Sequence, residues 1–355
     1  MSKPSRLDGM VATKSPEPAL PVKIDQRVPI TALHSFKDYF HGFEKVPAVR
    51  AVFGDETDRV LARQKVEFVS SRWVYMGVNN DDGHIIIGTY HLRNSQLKIL
   101  YLDIVHELFH VKQHLEGKNL FPDGYEYVDS PIEVPAYRHT VQEAKRIGMS
   151  YGEIEEYLKV EWITQEQHAR LARSAGLEAD MKPVPEVPLT SIRIVREAPV
   201  ALHPFSRYFR GFEKVEAVEV LFGAETKDVI ERLRVEFFSA RFGIIGVSDE
   251  DGHIIAGSHY VRDSSPTTVY LDLIFALHQV KRFQEGRPPF NVRWGAPDNP
   301  AALSAYRATV QEARRLGMTD SQISKYLRTV WITDDQHRKL LKAVGVKGTP
   351  GHTPG

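Results

Sequence analysis

Hydrophobic positions along the chain keep two rhythms, and the places where one gives way to the other outline the elements. Short apolar runs rich in β-branched and aromatic residues predict strands at Lys65 to Val69, Trp73 to Val78 and His84 to His91. The last two flank Asn79-Asn80-Asp81-Asp82-Gly83, where Asn and Asp-Gly supply the positive φ of a tight turn, so a hairpin is expected there. A helical stretch around Phe36 to Val52 precedes these strands, and a short strand near Leu97 to Leu102 follows them. Leu102, Val105, Leu108 and Phe109 then give the segment from Asp103 to His114 the broad apolar face of a buried helix. Gly117 and Pro122-Asp123-Gly124 end that helix and turn the chain back into a second one over about residues 131–147. Ser150-x-x-Glu153 and Thr164-x-x-Gln167 are capping boxes that open two further helices.

The whole order then comes again. Ala32-Leu33-His34 recurs as Ala201-Leu202-His203, displaced by 169 positions (34 to 203), and Gly42 to Val46 recurs as Gly211 to Val215. The same displacement relates Asp82-Gly83-His84 to Asp251-Gly252-His253, Tyr101-Leu102-Asp103 to Tyr270-Leu271-Asp272, and Trp162-Ile163-Thr164 to Trp331-Ile332-Thr333. A gapless repeat of this length reads as two copies of one domain. The expected organisation is a disordered segment over 1–28, a first copy over 29–178, a linker over 179–197, a second copy over 198–346 and a flexible tail over 347–355. Pro183, Pro185 and Pro188 mark the linker.

Inside the first buried helix lies His106-Glu107-Leu108-Phe109-His110. Residues four apart share a helix face, so His106 and His110 can bind one divalent ion while Glu107 lies beside them to take a proton from an attacking water. Without a metal partner such polar groups would be costly on so apolar a helix. A catalytic zinc takes three protein ligands and keeps one position open. Gln113 and Glu116 stand where one variety of this helix continues with Gly and then His, so that variety is excluded. His114 lies about 6 Å further along the axis than His110, too far to share the ion. A carboxylate on the second helix is the better donor, and Glu133 in Pro131-Ile132-Glu133-Val134-Pro135-Ala136-Tyr137-Arg138 fits.

These residues resemble the zincin metallopeptidases, and among them the gluzincins, whose pattern is His-Glu-x-x-His followed by a helix reading roughly Glu-x-x-Ala. The resemblance covers mainly residues 100–147. It implies Zn2+ as the cofactor, His106, His110 and Glu133 as its ligands, and Glu107 as the general base. It also implies a Tyr or His that steadies the oxyanion, a role to which the sequence assigns no residue. The implied fold is α+β: a tandem duplication of a zincin-like domain, each copy a small antiparallel sheet followed by a metal-site helix, a glutamate helix and a C-terminal helical pair.

The second copy serves as an internal control. His106 becomes Phe275, Glu107 becomes Ala276, His110 becomes Gln279 and Glu133 becomes Ala302, so the four site residues vanish as a set. Asp103, Tyr137, Arg138, His34 and His84 keep their identity at the shifted positions and are read as structural. His114 (Phe283 in the second copy) and His139 (Ala308) are also lost, which fits either an accessory role or surface drift, with drift the simpler. His278 lacks a matching second His and is not read as a ligand.

Composition narrows the function classes. Lys plus Arg and Asp plus Glu each number 46, which argues against a dedicated nucleic-acid binder or a membrane-surface protein. Glu153, Glu155, Glu156 and Glu161 also make the C-terminal helical pair a poor reader of DNA. The absence of Cys leaves His and carboxylates as the only metal ligands, and with no signal peptide or membrane-spanning run it points to the cytoplasm. The leading expectation is a zinc-dependent hydrolase of the metallopeptidase kind acting on a peptide or protein substrate, which an edge strand of the hairpin sheet could align. The second copy would pair with the first within the chain as a non-catalytic scaffold or substrate clamp, a pseudoenzyme domain. The alternative is a non-catalytic zinc-binding regulatory or interaction protein. The missing oxyanion donor favours it, and Glu107, which a structural site does not need, speaks against it.

Overall fold

The computed structural model describes residues 19–29, 32–72, 74–122, 124–160, 163–177, 185–239, 245–289, 299–328 and 332–347. Trp73, Asp123, Glu161, Trp162, Pro183, Trp331 and the tail beyond residue 347, all used in the sequence reading, lie outside them. The first half runs β1 (Lys23–Ile24), β2 (His34–Ser35), α1 (Phe36–Tyr39), β3 (Phe40–His41), α2 (Pro47–Phe53), α3 (Thr57–Arg63), β4 (Lys65–Val69), β5 (Met76–Val78), β6 (Ile85–Gly88), α4 (Thr89–Asn94), α5 (Leu97–Leu115), α6 (Glu133–Arg146), α7 (Tyr151–Tyr157) and α8 (Gln165–Ser174). The second half runs β7 (Arg193–Ile194), β8 (Leu202–Pro204), α9 (Phe205–Tyr208), β9 (Phe209–Arg210), α10 (Glu216–Phe222), α11 (Thr226–Arg232), β10 (Arg234–Phe238), β11 (Ile245–Val247), β12 (Ile254–Gly257), α12 (Ser258–Asp263), α13 (Pro266–Gln284), α14 (Pro300–Arg315), α15 (Asp320–Leu327) and α16 (Asp334–Ala343). The protein is mixed α and β, with helices around small sheets, and the two halves carry the same elements in the same order. No helix among the described residues is long and apolar enough to cross a membrane.

Several local expectations hold. Val78 pairs with Ile85 in an antiparallel hairpin closed by Asn79 and His84, and Gly83 takes the positive φ of 77° that its turn needs. Both capping boxes form, at Ser150 and Thr164, and the second half repeats them at Thr319 and Thr333, each with reciprocal bonds to the residue three further on. Others need correction. The stretch from Phe36 to Val52 is broken, because Gly42 sits at φ 90° and a Cβ there would lie 2.1 Å from the Ser191 carbonyl oxygen. Leu97 to Leu102 is the first turn and a half of α5 rather than a strand: Leu100, Tyr101, Ile104, Val105 and Leu108 keep one helical stripe, all almost fully buried. The run from His84 to His91 leaves the sheet at Gly88 and coils into α4.

Each four-stranded sheet is mixed rather than antiparallel, in the order β2-β4-β6-β5 and β8-β10-β12-β11. After β4 the chain crosses to the outer edge, so that the returning strand β6 slots in parallel to β4 and leaves β5 at the edge; β12 does the same beside β10. Phe36, Phe43, Phe68 and Tyr101 anchor one core, and Phe205, Phe212, Phe237 and Tyr270 the other.

The halves meet along β4 and β10. Glu67 is fully buried and reaches across to accept from the Ser239 backbone N–H (2.9 Å) and hydroxyl, while His84 lies 3.0 Å from the same carboxylate. Glu236 mirrors it on Ser70 N–H and His253. The segment before each half packs on the other half. Strand β1 pairs with β9 and β7 pairs with β3, and Val28, expected in a disordered segment, is buried in the second core. The correction for residues 19–28 has a simple cause: their backbone groups find sheet partners on the far half, which no local reading of a Ser- and Pro-rich arm can foresee.

Candidate metal centre

Helix α5 packs on α6, and their contact brings the proposed ligands together. His106, Glu107 and His110 lie on the buried face of α5. Glu133 is the first residue of α6, whose opening turn is held by Ser130, the acceptor for the Ile132 and Glu133 N–H groups. Gln113 ties the helices: its amide donates to Ile132 O at 3.0 Å, and its Oε1 lies 2.7 Å from His110 Nδ1. That contact assigns the proton of neutral His110 to Nδ1 and turns the Nε2 lone pair toward the cluster. Thr140, whose hydroxyl donates to Ala136 O, stands 3.5 Å from His106 Nδ1 on the corresponding side.

His106 Nε2 and His110 Nε2 are 2.9 Å apart, and Glu133 Oε2 lies 3.4 and 3.5 Å from them. Zinc bonds of about 2.0–2.1 Å at tetrahedral angles require donors about 3.3 Å apart, so the three atoms fit one small divalent cation. Among the described residues this group alone gathers three such donors, all within 4.8 Å of one another, and it could hold a metal ion. Burial raises Glu133, but the pull of the two imidazoles, whose Nε2 atoms lie 3.4 and 3.5 Å from its Oε2, wins and holds it below the usual carboxylate range. Burial pushes His110 down, and the Glu133 carboxylate overrides this and lifts it to about 9. Glu107 is different. Burial raises its pKa against the pull of both imidazoles, and its Oε2 has no hydrogen-bond partner. A buried carboxylate oxygen left unpaired beside three converging donors is the feature that a bound cation and its water would satisfy.

The centre opens into a cleft of about 1080 Å³ walled on one side by Tyr75 to Val78 on and before edge strand β5. Sequence reasoning missed several of its residues. His91, on α4, places Nε2 2.7 Å from Asp103 and Nδ1 2.8 Å from Ser95 Oγ, and burial beside the charge of the same Asp103 raises the pKa of the Tyr157 phenol. Tyr137 lays its ring against His106 at 4.5 Å, and its hydroxyl meets that of Tyr127 at 2.7 Å. Burial raises the pKa of both phenols, so they stay protonated donors at neutral pH. Asp103 and Tyr137, read as structural because the second half keeps them, therefore stand in the wall of the site. The same control held the missing signal: His91 becomes Tyr260, Tyr127 becomes Ala296 and Gln113 becomes Arg282, lost with the ligands.

Other candidates sit elsewhere. The His114 ring packs on Gly83, a place that Phe283 fills against Gly252. His139 lies against Phe109, outside the cleft lining. His34 packs edge-on against Tyr39 and at a tilt against Phe68, and His84 joins the halves, both structural as expected. His278 lines a separate cavity of about 770 Å³ with Lys281 and Arg315, and burial lowers its pKa to about 4. Among the described residues, no set of three metal donors converges in that cavity. At the counterpart of the metal centre, Phe275, Ala302, Ala305 and Tyr306 form an apolar plug. No protein-family model, curated protein or solved structure matches this chain.

Proposed function

We propose that the protein is a zinc-dependent hydrolase, a gluzincin-like metallopeptidase built as a tandem zincin-like duplication in which only the first half reacts. The observation that carries this reading is Glu107: a buried carboxylate with an unpaired oxygen, one residue from a ligand and facing a cleft. Zinc held by His106, His110 and Glu133 would supply a Lewis acid for the scissile carbonyl and an acidified water. Glu107 takes the proton of the attacking water and passes it to the leaving amine, and its raised pKa suits a group that must both accept and return a proton. Gln113 and Thr140 keep the imidazoles in register. The Tyr127 and Tyr137 hydroxyls, kept neutral by burial, are the donors best suited to a developing oxyanion.

An extended peptide is the substrate that this cleft suits, since β5 is an edge strand whose outer backbone groups can add one more strand. The second half, with its apolar plug, works as a scaffold. The cytoplasmic setting expected from the sequence belongs to the same reading. The test is cleavage of casein or a peptide library by the zinc-loaded parent and by Glu107→Gln. Cleavage by the parent and its loss in the variant, with zinc retained by both, supports the reading; equal cleavage by both overturns it.

A further inference from the structure

Arg196 belongs to the arm that leads into the second half, yet its Nη1 reaches three carbonyls of the first: Leu92 O at 3.0 Å, Arg93 O at 2.9 Å and Ser95 O at 2.8 Å. These carbonyls close the C-terminal end of α4, where a cation also meets the negative end of the helix. Helix α4 carries His91, and Ser95 supplies the hydroxyl at His91 Nδ1. The other half repeats the device with a different residue. Gln26 donates to Val261 O at 2.7 Å, Arg262 O at 3.5 Å and Ser264 O at 2.7 Å, the matching carbonyls of α12, where Tyr260 stands in place of His91. One more contact from the second half reaches α4 directly, Arg93 pairing with Glu250, and another reaches it through Arg72 of the first half, which lies over Tyr90 and pairs with Asp249.

We propose that Arg196 is a positioning residue: it pins the end of α4 so that His91 keeps its ring on Asp103 in the wall of the cleft, which gives the second half's arm a task at the first half's site. His91 and Ser95 both line that cleft, so a loosened α4 moves a wall of the substrate's path without touching His106, His110 or Glu133. The kinetic part of this inference rests on the hydrolase reading; the geometric part does not.

The experiment compares Arg196→Met, which keeps the apolar stem, with Arg196→Gln, which copies the residue the other half uses, and with Gln26→Leu as the control for a lost cap elsewhere. Proton–nitrogen NMR of the histidine rings reads the His91 Nε2–H bonded to Asp103, assigned by its absence in His91→Gln. Arg196→Met should lose or broaden that signal, Arg196→Gln should keep it, and Gln26→Leu should leave it unchanged while lowering thermal stability. In peptide cleavage, Arg196→Met should lower kcat about tenfold with KM and zinc content unchanged. The proposal is overturned by an unaltered His91 signal in Arg196→Met, by its loss in folded Arg196→Gln, or by equal loss in Gln26→Leu. If Arg196→Met does not fold, Arg196→Gln and Gln26→Leu still decide. A parent that cleaves nothing while the NMR follows the expected pattern refutes the hydrolase reading and leaves the positioning claim standing.

Discussion

Phe275 lies against Tyr306 with ring centroids 4.7 Å apart, in the place where His106 lies against Tyr137 at 4.5 Å. One scaffold thus holds a polar cluster in one half and an apolar plug in the other. Replacing buried ionic groups by apolar ones of similar volume is often neutral or stabilising, so the plug is a stable solution where no cation is bound. The framework around it is kept, since Tyr270 bonds Glu312 just as Tyr101 bonds Glu143.

That framework should accept the site back. The quadruple change Phe275→His, Ala276→Glu, Gln279→His and Ala302→Glu is expected to add a second equivalent of bound zinc per chain, read by elemental analysis after dialysis. An unchanged stoichiometry would mean that the backbone of α13 and α14 does not present donors as α5 and α6 do.

His114 is expected to be dispensable. Its ring packs on the hairpin turn as Phe283 does in the other half, so His114→Phe should change stability by no more than about 0.5 kcal/mol. Peptide cleavage should be the same as in the parent. A large fall in kcat would instead restore the accessory role considered from sequence.

The junction between the halves should weaken in alkali. Burial lowers the His253 pKa, but the Asp251 and Glu236 carboxylates override this and raise it from 6.5 to about 9. A histidine whose folded pKa is raised contributes stability that is complete below about pH 6.5 and is lost as pH rises through about 9, on the order of 3 kcal/mol in all. Guanidinium unfolding at about pH 6 and about pH 10 should show that fall. His253→Gln should flatten it, and a slope unchanged in that variant would assign the loss to other groups.

Glu67 holds the junction from the other side. Removing its carboxylate leaves the Ser239 N–H, the Ser239 hydroxyl and His84 without their buried acceptor, so Glu67→Ala should cost roughly 3–5 kcal/mol. Denaturant titration measures it, and a cost below about 1 kcal/mol would mean that water replaces the lost acceptor.

Periodicity, turn chemistry and caps made the hairpin, the paired helices and the repeat legible, because these depend on residues close in sequence. The candidate site was legible for a second reason: the chain contains its own comparison, in which the three proposed ligands and Glu107 are erased together. Three things were hidden. The parallel pairing of β4 with β6 depends on where β5 docks, a choice between partners far apart that strand propensity does not encode. The exchanged arms rest on Gln26 and Arg196, which serve one purpose through different chemistry at positions offset by 170, so the constant shift of 169 conceals them (26 to 196). Tyr137 and Asp103 looked structural because retention was taken to exclude a place at the site. Both residues brace the same helices in each half, and in the first half those helices also form the cleft.

The most direct test of the central claim is zinc-edge X-ray absorption on the zinc-loaded protein. The account predicts one ion per chain with two imidazole nitrogens and two oxygens, one from the Glu133 carboxylate and one from water, at about 2.0–2.1 Å, and a changed first coordination shell in Glu133→Ala. A spectrum without imidazole scattering, or one unchanged by Glu133→Ala, would contradict it.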